Sequence, residues 1–198
     1  MKLKCLLILG LLIHQTSYAF RWEETPAESQ PIQWALKTNA LYDLALTPNI
    51  GVEIGFNRRW SISTNFMCAW WDNDAKHRYW RICGGDVEAR YWLPLRGHHV
   101  GVYTQLVTYD FEFGKRGYMA DKWNFGGGLT YGYAHKLNQH LRLDFNLGIG
   151  FLGGKYKEYL PIDQCYVWQE TKQRRWVGPT KVEISLVWLL NPQKGGKR

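Results

Sequence analysis

Ten ionisable residues sit at alternate positions among apolar neighbours: Lys37, Asp43, Glu53, Asp86, Glu88, Arg90, Arg142, Asp144, Lys181 and Glu183. Two kinds of chemistry suit such a set. Paired carboxylates beside a cation, as Glu53, Glu88 and Arg90 would be, can handle protons or a ligand. Mixed charges sharing one polar face can instead neutralise each other and fill a narrow interior. The second reading is favoured, because nothing in the sequence marks a substrate cleft.

Other reactive residues point the same way. His98 and His99 are adjacent on an expected strand, where side chains alternate between faces, so they do not readily bind one metal together and read as interfacial side chains. His77, His135 and His140 lack ligand spacing, no Ser-x-x-Lys or Gly-x-Ser-x-Gly pattern occurs, and no helix follows Gly126-Gly127-Gly128 to hold a phosphate. No catalytic residue, cofactor or metal is implied. Cys68, Cys83 and Cys165 remain once Cys5 leaves with an N-terminal signal. Cys68 and Cys83 fall opposite each other if a hairpin closes near Ala75 and Lys76; a Cys83–Cys165 bridge, or none, is equally compatible with spacing. Arg174 and Arg175, beside Trp176, carry the charge to hold lipopolysaccharide phosphates at a membrane rim, although a solvated loop would read alike.

The elements that must position these residues are strands. Leu141 to Phe151 places Leu141, Leu143, Phe145, Leu147, Ile149 and Phe151 on one face, and Arg142, Asp144, Asn146, Gly148 and Gly150 on the other. This period of two excludes a helix. Seven more segments read the same way: Trp34–Leu46, Ile50–Phe56, Trp60 to about Trp71, Tyr79–Trp92, His98 to about Asp110, Trp123–His135 and one beginning near Thr180, with Gly84-Gly85 a candidate bulge. Connections after the second, fourth and sixth strands are short. Those after the third, fifth and seventh are longer, the last being a loop from Leu152 to about Arg175. Tryptophan and tyrosine gather at strand ends: Trp34, Trp60, Trp92, Tyr133 and Trp188 at one end, and Trp70, Trp71, Trp80, Trp123 and Trp176 at the other.

The chain has 198 residues, with 11 Trp, 12 Tyr, 20 Gly and a mean hydropathy of −0.38. Such a composition suits a membrane barrel, in which only alternate residues face lipid. Residues 1–19 read as a secretory signal peptide, with Lys2 and Lys4, an apolar core and Ser17-Tyr18-Ala19. Its removal lowers the formal charge from +8 to +6, dispersed in a way that argues against nucleic acid. Residues 20–33 read as a flexible leader, 34–190 as the barrel and 191–198 as a polar tail. The expected fold is all-β, an eight-stranded antiparallel up-and-down transmembrane β-barrel, since only helices and closed barrels cross a bilayer and no apolar run is helix-length.

Several segments carry a resemblance: Leu36–Asp43, Pro48–Glu53, Glu88–Trp92, Gly128–Tyr133 and Gly178–Trp188. They resemble a family of small bacterial outer-membrane β-barrel proteins catalogued as a domain of unknown function. The resemblance spans about Trp34 to Leu190, implies an eight-stranded barrel and supplies no activity. The functional expectation is a non-enzymatic barrel of the cell outer membrane, structural or adhesion-type, that displays outer loops to a surface protein or glycan and contacts lipid including lipopolysaccharide. The alternatives are a lipid-modifying enzyme at the barrel rim and a soluble exported barrel binding a ligand inside.

Overall fold

The structure, a computed structural model, describes residues 32–73, 75, 78–114, 116–162 and 165–191. The expected signal peptide, the leader before Ile32 and the tail after Asn191 lie outside the described residues, as do Cys5 and His77. In chain order the elements are β1 (Gln33–Asn39), α1 (Ala40–Leu44), β2 (Asn49–Gly55), β3 (Trp60–Asn73), β4 (Arg78–Trp92), β5 (His98–Phe113), β6 (Gly117–Ala120), β7 (Asn124–Lys136), β8 (Leu141–Ile162) and β9 (Cys165–Leu189). All strands belong to one antiparallel sheet of nine. Neighbours pair from β1 to β5, then β5 with β7, β7 with β8, β8 with β9, and β9 back to β1, so the sheet closes as a ring. The ninth strand is the four-residue β6, which bridges β5 and β8 beyond the end of β7.

Alternation sets the two surfaces of this ring. Along β8, Phe145, Leu147 and Ile149 are 40%, 51% and 60% exposed while Asp144 is 1% exposed. Apolar side chains of other strands, including Ile62, Phe66, Val102, Leu106, Leu129 and Val182, are exposed likewise. Lys37, Glu53, Glu88, Arg90, Asp144, Lys181 and Glu183 are buried. The molecule is therefore polar inside and apolar outside, the reverse of the usual arrangement for a protein in water.

Four expectations need correction. The first strand stops at Asn39, whose side chain accepts from the Leu41 backbone N–H and caps α1, so Ala40–Leu44 is helical rather than extended. Leu152 to Arg175 is no loop: β8 and β9 stay paired from Leu141↔Trp188 to Ile162↔Cys165 and form a long ribbon. Gly84-Gly85 is no bulge, because β3 and β4 pair without slippage from Trp60↔Tyr91 to Asn73↔Arg78. A Cβ on Gly84 would stand 2.5 Å from Leu106 O and one on Gly85 2.7 Å from Asn65 O, so close strand approach accounts for both glycines. The register shifts lie instead at Gly148/Ile149 and Glu158/Tyr159. Finally, Trp80 and Trp92 are half-buried rather than exposed, and each turns to a buried hydroxyl. Their indole N–H groups donate to Thr47 Oγ1 at 3.2 Å and Ser61 Oγ at 2.9 Å.

Candidate functional site

Each strand delivers its polar face to one interior, and the residues collected there are charged. Arg90 on β4 is fully buried and stands at the centre. Its guanidinium reaches Asp144 on β8 at 2.6 Å, Glu88 on β4 at 3.1 Å, Glu53 on β2 at 3.2 Å and Glu183 on β9 at 3.5 Å. Lys181 bridges Asp86 and Glu88, the latter at 2.9 Å, while Lys37 stands 3.5 Å from Glu183. Arg142, partly exposed, pairs with Glu53 and lies with its guanidinium 4.9 Å from the centre of the Trp92 ring. Nine of the ten residues singled out in the sequence thus meet in one network.

Asp43 is the exception. It sits on α1, exposed, where it accepts from Thr38 Oγ1 at 2.8 Å and from Asn49 Nδ2 at 2.9 Å. It belongs to the turn that joins β1 to β2.

Three residues outside those ten join the network, and the sequence reading misplaced only His99. His99 is not interfacial: it is buried, and its Nε2 lies 3.0 Å from Asp144 Oδ1. Only His98 faces outward, against Tyr131 and Tyr133. Thr130 donates to Glu88 at 2.6 Å, and Asn146 donates to both oxygens of Glu88 at 3.1 and 3.0 Å. The signal was available, because His99 shares the alternation phase of Gly101 and Tyr103 on β5. Chemically, each of the five carboxylates of this network, Glu53, Asp86, Glu88, Asp144 and Glu183, has a cation partner, and charges so matched rigidify an interior. Among the described residues, no group of three or more His, Cys, Asp or Glu is placed to hold a metal ion.

A second constellation lies on the ribbon end. Arg81 on β4 bonds Asp72 on β3 at 2.6 Å and Asp110 on β5 at 3.2 Å. Its hydrogen bond holds the Asp72 carboxyl below the usual range. The Tyr159 hydroxyl donates to Asp110 at 2.7 Å, and burial together with that carboxylate pushes the phenol well above its ordinary value. Glu158 receives Lys172 at 2.9 Å and Arg116 at 3.4 Å. Arg174 and Arg175 are not brought together. Arg174 lies over Tyr109 and Tyr156, with ring distances of 5.5 and 5.1 Å, whereas Arg175 is exposed, so the two do not grip one phosphate. Cys68 and Cys83 are direct cross-strand partners as expected, and both thiols are free, as is Cys165 at the ribbon tip.

The model of one family, described as a protein of unknown function (DUF3575), matches residues 7–190. The chain belongs to the DUF3575 family. Among curated proteins and among solved structures, nothing matches it. For a DUF3575 chain the functional reading therefore rests on its own geometry. That geometry is a neutralised ionic interior, an apolar girdle and a polar ribbon at one end.

Proposed function

We propose that the chain is an outer-membrane β-barrel in which eight strands make the circuit and the girdle meets lipid, with a non-enzymatic role in surface interaction. The observation that carries this reading is the inversion of the ring, with exposed Leu, Ile, Val and Phe outside and Arg90 and its four carboxylates sealed inside. Exposed Trp34, Trp60 and Trp188 at the turn end, and Trp70, Trp71, Trp123 and Trp176 toward the ribbon end, fit the two interfacial aromatic belts of such barrels. A spanning strand needs about 9–11 residues. β8 has 22 and β9 has 25, so each carries a segment of comparable length beyond the lipid.

The interior supports a structural rather than catalytic role, since the five carboxylates around Arg90 and Lys181 are each held by a cation. An eight-stranded interior is just wide enough for side chains to fill, which disfavours an open channel. The ribbon, held by the ion pairs of Lys172 with Glu158 and Glu170, is then the part that meets partners, and outer-leaflet lipid including lipopolysaccharide surrounds the girdle.

The test has two parts. In fractionated cells the protein is expected in the outer membrane, migrating differently on a denaturing gel when unboiled. In intact cells a membrane-impermeant maleimide is expected to label Cys165, which is exposed at the ribbon tip. A soluble protein of unchanged mobility refutes the membrane reading, and a Cys165 reached only after lysis refutes display at the surface.

A further inference from the structure

The ring closes completely only at its turn end. β1 pairs with β9 from Ala35↔Leu189 to Asn39↔Ser185 and then gives way to α1. From Cys165 to Glu183, therefore, β9 is bonded to β8 on one side and to no described strand on the other. Burial agrees. From residue 153 to 161, β8 is mostly half-buried or buried, while the paired stretch of β9 from Cys165 to Val177 is exposed everywhere except Lys172 and Arg174.

An unpaired edge presents a row of N–H and C=O groups, and proteins normally blunt it with proline, bulges, brevity or charge. The shift at Glu158/Tyr159 leaves Gln169 as the extra, bulged residue of β9, and Pro179 lies beyond Val177. Between Glu170 and Val177 the edge has no proline or bulge and is guarded by charge alone, so it admits a strand whose charges complement its own. The stretch is also held straight from behind, by Lys172 on Glu158 at 2.9 Å and by Arg174 over Tyr109 and Tyr156. Those two cations are engaged. Arg175, between them and Trp176, is exposed and opposes only Gly153.

We infer that the Glu170–Val177 edge of β9 is a docking site for an extended strand of another polypeptide, added by backbone hydrogen bonding, with a carboxylate of that strand opposite Arg175. Strand addition takes its affinity from the main-chain ladder and its selectivity from alternate side chains. An acidic strand is selected because the edge already carries Lys172, Arg174 and Arg175 against Glu170. The inference deepens the surface-interaction reading and rests on it for where the partner is met.

The probe is a fluorescent ten-residue peptide alternating Val with Thr and Glu, titrated by anisotropy against the full chain folded in detergent. A twin peptide is N-methylated at alternate amides, and a third has Lys in place of Glu. Saturable binding is expected, at least tenfold weaker for the methylated twin. Arg175→Glu is expected to reverse the preference between acidic and basic peptides, and amide exchange is expected to slow at alternate residues of 170–177. No saturable binding, or binding indifferent to methylation, overturns the proposal. A dimer without peptide that the peptide dissociates also overturns it, since the edge would then belong to a second copy. Detergent binding does not depend on cell location, so its failure is distinct from failure of the fractionation or labelling test.

Discussion

Arg90→Met removes the charge on which the interior converges while keeping a side chain of similar reach. In the folded ring five carboxylates, Glu53, Asp86, Glu88, Asp144 and Glu183, are set against Lys37, Arg90, Arg142 and Lys181, with His99 beside Asp144. The substitution leaves Asp144 and Glu53 without the guanidinium now 2.6 and 3.2 Å away, in a site with no exposure to water. Breaking a buried pair by removing one partner costs about 3–5 kcal/mol, because the remaining charge is desolvated and uncompensated. Asp144→Asn in the same chain removes one of the stranded carboxylates and restores the original difference between acids and bases. The double variant is then expected to recover about 1–3 kcal/mol relative to the sum of the single losses. Urea titrations of detergent-folded protein, followed by tryptophan fluorescence and by the unboiled gel band, measure both quantities. A single-variant loss below about 1 kcal/mol, or strictly additive losses, would refute the idea of a sealed, coupled network.

Four further outcomes are expected. Leu147→Arg puts a cation on the girdle and should cost about 2–4 kcal/mol when folding into lipid vesicles. A soluble protein would scarcely register that change, since Leu147 is 51% exposed. Gly101→Val should destabilise by about 1–3 kcal/mol in the same titration, as an added Cβ would stand 2.6 Å from Thr130 Oγ1 and 2.8 Å from Glu88 Oε1. Because Arg81 holds Asp72 below its unfolded value, the pair's contribution is complete above about pH 4 and fades as pH falls through the folded value. Amide exchange at the β3–β4 ribbon end should therefore quicken on acidification, and Asp72→Asn should flatten that response. A mild thiol oxidant should join Cys68 to Cys83, read by peptide mass as a loss of two hydrogens, and leave Cys165 unlinked.

The strand faces were legible in the sequence because a period of two belongs to the strand itself, so Lys37, Glu53, Glu88, Arg90, Asp144, Lys181 and Glu183 could be assigned to the interior one strand at a time. Asp43 was misplaced because it continues the same alternation, while the capping bond from Asn39 that ends the strand is a local conformational choice. The Leu152–Arg175 ribbon was misread for a different reason. Beyond the girdle no face must be apolar, so those strands carry no apolar alternation and are held by pairing, ion pairs and the packing of Arg174 on Tyr109 and Tyr156.

What no pattern in the sequence determined is which charges meet. Arg90 is 37 positions from Glu53, 54 from Asp144 and 93 from Glu183, and the sequence shows only that each faces inward. Their convergence depends on strand register and on closure of the ring by β1 with β9, segments from opposite ends of the chain. Register is a property of pairs of strands, set when all the backbone hydrogen bonds and both surfaces are satisfied together. The same closure, stopping at Asn39, leaves the long edge of β9 unpaired.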